Sequence, residues 1–224
     1  MKIELPGGLD DIKLHQFQEL IRMGSNVTEE DLVSIILEMD RKSIRGLDNG
    51  IVAQLVAHIN TILSKPNKQL IKTFKIGDTE FGFEPNLDKA AWGVIIDAET
   101  YLGDWDKMHL AMASLYRPIT NKNKKGQYEI EKYEGSDKYG EKMRFTPVDV
   151  VQGVQVFFCN LLKDLGRALQ NYMKRTEMET ALAHHLGKDG EDITKLLRSL
   201  EDSMSELIKL QTFQYEKPLH TSHS

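Results

Sequence analysis

The sequence predicts a mainly α-helical fold with a small β-hairpin or sheet inserted mid-chain and an antiparallel helical hairpin towards its C-terminal end. Three observations carry this. Apolar residues recur at helical spacing through most of the chain. Residues 73–84 instead alternate apolar and polar positions about a glycine turn. Two long apolar seams of equal period flank the breaker Gly187-Lys188-Asp189-Gly190.

Taken in order, residues 2–5 read as a short strand stopped by Pro6-Gly7-Gly8. Residues 14–23 read as a helix with Leu14, Phe17, Leu20 and Ile21 on one face. Thr28-Glu29-Glu30-Asp31 caps a second helix that buries Leu32, Ile35, Ile36 and Met39. A turn follows at 46–50, then a third helix over 51–63, closed by Ser64-Lys65-Pro66-Asn67. Phe74 and Ile76 face Phe81 and Phe83 across Gly77-Asp78-Thr79, the pattern of a hairpin, which is marginal alone and must lie against helices or another strand. Residues 87–98, carrying Trp92, Val94, Ile95 and Ile96, and residues 104–116 read as helices, the latter ended by Arg117-Pro118. Residues 121–141 are polar and charged and read as a long excursion, with a short strand at 127–132.

Thr146-Pro147-Val148-Asp149 then opens a long helix, with Thr146 as the cap, Pro147 in the first turn and Asp149 facing the positive end of the dipole. Its seam runs through Val151, Val154, Phe158, Leu161, Leu165, Ala168 and Tyr172, and Gly166 is a candidate break. The second seam runs through Ile193, Leu197, Leu200, Met204 and Leu207. These seams read first as internal core. Pairing between chains is the alternative, and either way they are the candidate partner-binding residues. The chain thus divides into a helical unit (1–66), a section with the hairpin, two helices and a polar loop (67–145), the long helix with its hairpin (146–216) and a disordered tail (217–224).

Composition bounds the function. The 224 residues carry a formal charge of −5, whereas binding to nucleic acid through phosphates favours a basic excess. The strongest opposing signal is Lys122, Lys124 and Lys125 with Tyr128, a basic loop beside a ring that a single strand could stack on. Cys159, the sole cysteine, can close no disulfide within the chain and reads as a small core residue. The first residues lack the apolar core of a signal peptide, and no apolar run approaches the roughly 20 residues that span a bilayer. A cytoplasmic protein without membrane contact is expected.

No catalytic, metal or cofactor signature emerges. His184 and His185 are adjacent, so on a helix they diverge by about 100° rather than converge on one ion. Gly135-Ser136-Asp137-Lys138-Tyr139-Gly140 matches no phosphate-binding loop, and the paired acids at Asp10-Asp11, Glu29-Glu30 and Glu201-Asp202 are explained by capping and solvation.

Several stretches, in this order, resemble a group of small proteins encoded among the structural and assembly genes of tailed bacteriophages, including marine and crAss-like phages. They are Leu9-Asp10-Asp11-Ile12-Lys13-Leu14-His15-Gln16-Phe17-Gln18, Phe81-Gly82-Phe83-Glu84-Pro85-Asn86-Leu87-Asp88, Leu115-Tyr116-Arg117-Pro118, Tyr133-Glu134-Gly135-Ser136-Asp137 and the apolar run 154–162. The resemblance covers residues 9–173. Some members are labelled tail assembly chaperones. It implies a non-enzymatic morphogenesis protein in the host cytoplasm that holds an aggregation-prone tape-measure or tail component, without cofactor, as an oligomer with exposed helix surface and adaptable methionine contacts. A permanent virion component of head, neck or tail is the first alternative, and a phage nucleic-acid protein using the lysine loop is the second.

Overall fold

The computed structural model describes residues 3–175, with side chains through residue 168. It is mainly helical, with a small four-stranded antiparallel sheet. The N-terminal helices are α1 (Leu14–Met23), α2 (Glu29–Leu37), α3 (Arg41–Arg45) and α4 (Asn49–Leu63). Strands β1 (Thr73–Ile76) and β2 (Thr79–Phe83) form the expected hairpin, with Ile76 opposite Thr79 and Gly77 at φ 57° in the connecting turn. Helices α5 (Trp92–Tyr101) and α6 (Met108–Leu115) follow, then β3 (Tyr116–Lys122), β4 (Tyr128–Ile130), α7 (Asp137–Met143) and α8 (Val148–Arg175).

Several expectations are corrected. Residues 3–5 form no strand. The turn expected at 46–50 is shorter: Asp48 caps α4, which starts at Asn49, and Asp40 caps the additional helix α3. The helices expected at 87–98 and 104–116 each begin with a separate 3-10 turn, Leu87–Lys89 and Trp105–Lys107, capped by Asn86 and Asp104. Residues 121–141 are not a free excursion. They hold the end of β3, the turn, β4 and most of α7. Helix α8 runs unbroken through Gly166. Thr146 does not cap it: its buried hydroxyl donates to the Met143 sulfur, and the Pro147 carbonyl accepts from Val150 and Val151.

Two apolar clusters make the core. One lies among the N-terminal helices around Val33, Ile44 and Ile59. The other lies between the sheet and helices α5 to α8, around Phe81, Val94, Met112 and Tyr116. They meet along α1 and the start of α8. Leu14 belongs to the second cluster and Leu20 to the first, while Val148 belongs to the first and Val151 and Val154 to the second. A backbone clasp fixes this junction. Leu14 N–H donates to the Thr146 carbonyl (2.8 Å) and Val148 N–H to the Ile12 carbonyl (2.9 Å), bridging Lys13 and Pro147. The expected hairpin from 146 to 216 falls mostly outside the described residues.

Candidate interaction surface on the long helix

Helix α8 leaves the core partway along its length. Val151 and Val154 are fully buried, and Cys159 is buried with its thiol pushed up from the ordinary range by desolvation. Phe157 and Phe158 are half-buried. The Phe157 ring meets Phe83 edge-on at 5.6 Å and Phe158 at 5.2 Å, the last cover the sheet gives the helix. One turn further, Leu161 is 46% exposed and Leu165 is 55% exposed. Spaced i, i+4, they continue the line of Val154 and Phe158 as an open apolar ridge. Asn160, Asp164 and Arg167 flank it, the last two within 3.7 Å of each other. The seam expected as one unit is therefore core at Val151 and Val154, boundary at Phe158, and surface at Leu161 and Leu165. Ile193, Leu197, Leu200, Met204 and Leu207 lie outside the described residues, as do His184 and His185.

The lysine loop is an ordered turn between β3 and β4. Asn123 organises it: its Oδ1 accepts from the amides of Lys125 and Gln127 (both 2.9 Å), its Nδ2 donates to Gln127 Oε1 (2.8 Å), and Gly126 takes φ 81°. Lys122 pairs with Glu80 at 2.6 Å, leaving Lys124 and Lys125 exposed at the tip. Tyr128 is not available as a stacking ring. Its hydroxyl donates to the Phe83 carbonyl (2.8 Å), and its ring lies so close to Gly82 that a Cβ there would stand 2.5 Å from it. The stacking partner expected beside the lysines is thus part of the sheet.

Sequence reasoning missed a buried polar node behind the sheet. Arg117 is buried against Glu84, donates from Nη1 to the Ser114 carbonyl (2.6 Å) and from Nε to the Glu131 carbonyl (2.8 Å), and lies 5.7 Å from the Tyr133 ring centre. Tyr133 in turn bonds Asp97, and burial foremost, then this carboxylate, pushes its phenol well above the usual range. Tyr139 bonds Glu131, which also receives Lys138 Nζ at 2.9 Å. These contacts, the tyrosine's first, hold that carboxyl below its ordinary value. The stretches 81–88, 115–118 and 133–137 meet here. The signal available beforehand was Arg117 itself, a lone cation directly after the apolar run of α6. Its partners engage it as a strut between sheet and helices.

Trp92, expected on a helix, opens α5 and is 76% exposed. Among the described residues no three histidines, cysteines or carboxylates gather as a metal cluster, and no helix is long and apolar enough to cross a membrane. No family model, curated protein or solved structure matches the chain.

Proposed function

We propose that this chain is a non-enzymatic bacteriophage morphogenesis protein that works through protein–protein contacts, in the manner of a tail assembly chaperone. The observation that carries the reading is the emergence of α8 from the core with Leu161 and Leu165 open along the same line that Val151 and Val154 bury. A holding protein needs an apolar helix surface of this kind, rimmed by polar groups, that a client helix can cover and leave. The resemblance of residues 9–173 to phage assembly proteins supports the same reading. In this picture residues 187–190 turn the chain into an antiparallel hairpin whose second seam, from Ile193 to Leu207, widens the apolar surface. The client is a tape-measure or tail component in the host cytoplasm, and the protein acts as an oligomer.

The test is affinity capture with the tagged full chain from infected cells, beside mass spectrometry of purified virions. Recovery of a tail component together with absence of the chain from finished particles is the expected result. Loss of that capture in the Leu161→Glu/Leu165→Glu variant ties it to the ridge. A fixed copy number of the chain in virions overturns the chaperone reading in favour of a permanent structural part.

A further inference from the structure

We infer that α5 carries a second interaction surface, built on Trp92, which receives the lysine turn of another copy of this chain. Trp92 opens α5, and Ile96 stands one turn on along the same face at 44% exposure. Tryptophan is the side chain most often found at the energetic centre of an interface. The platform beneath it is rigid. The Tyr133 ring packs so tightly on Gly93 that a Cβ there would stand 2.6 Å from it, and the same tyrosine holds Asp97. Helix α5 carries the acids Asp97 and Glu99 and no basic residue, and just before it Asp88 and Lys89 cancel.

The complementary piece is on the same chain. The β3–β4 turn presents Lys124 and Lys125 on a backbone already fixed by Asn123. No acid lies between Asn121 and Tyr128, and neither lysine has an ion-pair partner among the described residues. An ammonium group over an indole face is favourable, and tryptophan is the best ring for it. Glu99, about two turns along α5 from Trp92, adds attraction for a basic tip. In a chain of net charge −5, two copies repel unless a basic tip meets an acidic face. Face and tip differ, so the contact is heterologous: each copy offers one of each, and the arrangement propagates into a ring or an open string. This surface is separate from the α8 ridge.

Sedimentation velocity and tryptophan emission across a concentration series of the full chain test it. Trp105 is 8% exposed, so a concentration-dependent shift of emission to shorter wavelength reports Trp92. The expected result is self-association that weakens as salt is raised towards roughly 1 M. Trp92→Ala alone and Lys124→Glu/Lys125→Glu alone should each weaken it about thirty-fold or more, as loss of an interface centre does. Both sets lie on the surface, and circular dichroism checks their folding. Mixing the two variants should restore a one-to-one pair and nothing larger, because each supplies the piece the other lacks. A wild-type chain that stays monomeric throughout overturns the inference. So do variants that associate as well as wild type, an outcome that points to the α8 ridge and leaves the proposed function standing.

Discussion

Gly153 of α8 sits directly against Gln69: a Cβ on that glycine would stand 2.3 Å from the Gln69 carbonyl oxygen. The obstacle is backbone, anchored by Asn67, whose Nδ2 donates both to that carbonyl (2.7 Å) and to the Asp149 carbonyl (2.9 Å), and whose amide donates to Gln152 Oε1 (2.9 Å). Gly153→Ala should therefore destabilise by about 1–3 kcal/mol, through overpacking that the linker cannot relieve. Gly166, in the same helix, has open space where a Cβ would stand. Gly166→Ala should stabilise by roughly 0.5–1 kcal/mol, the helix-interior cost of glycine. Thermal melts of the two variants check the opposite signs.

The Arg117–Glu84 pair is buried on both sides, its side chains 6% and 11% exposed. Arg117→Leu should cost about 3–5 kcal/mol, because it strands the Glu84 carboxylate out of water. The double change Arg117→Leu/Glu84→Leu should recover part of that loss. A double-mutant cycle by urea denaturation measures the coupling.

These contacts also show what sequence can reveal and what it hides. The N-terminus of α2 is legible because its chemistry is local. Asp31 N–H donates to the Thr28 hydroxyl and Thr28 N–H to the Asp31 carboxylate, all within one turn. The hairpin is legible because Phe74 and Phe81 pair across a glycine turn. Strand β3 is hidden because Pro118 stands in the middle of a sheet, where proline argues against a strand. The sheet tolerates it through the irregular register between Ile119 and Asn121, while the Pro118 carbonyl still accepts from Glu131 N–H. Helix α7 is hidden because it buries only Gly140 and Met143. Its order comes from outside: Tyr139 meets Phe81 at 5.8 Å and Lys142 bonds the Thr79 hydroxyl at 2.6 Å. The candidate surface was half legible. The α8 seam reads the same at Val151 and at Leu165, and only the reach of the sheet decides where burial stops.

That limit of burial gives a further expectation. Leu161→Glu and Leu165→Glu should each change stability by less than about 0.5 kcal/mol, as exposed positions do. Val154→Ala should cost roughly 1–3 kcal/mol. Chemical denaturation of the three variants separates a ridge kept for contact from one kept for folding.

Acidification should weaken the fold before the carboxylates protonate. Burial foremost holds His15 and His109 below the ordinary imidazole value. Arg144 lowers both further, while Glu38 opposes at His15 and Glu141 at His109. The unfolded chain therefore binds these protons at higher pH than the folded one. Stability is fully present above the unfolded value, near 6.5, and is lost as pH falls below it towards the depressed folded values. Melting temperature should drop between pH 7.5 and pH 5.5, roughly one unit either side of the ordinary imidazole value. The His15→Gln/His109→Gln variant should flatten that slope.

The clasp between residues 12–14 and 146–148 joins parts of the chain that leave the ribosome far apart in time. Leu14 and Ile12 are made early, yet their backbone partners Thr146 and Val148 emerge only after both clusters' other helices and the whole sheet. Loop-closure entropy opposes such a contact until late, so its formation belongs to the final stage of folding. During synthesis Leu14 waits for the sheet-side cluster it packs into, although it is among the most deeply buried residues once folding ends. A truncation before residue 146 would leave the clasp permanently open, a nascent chain that never closes its own seam.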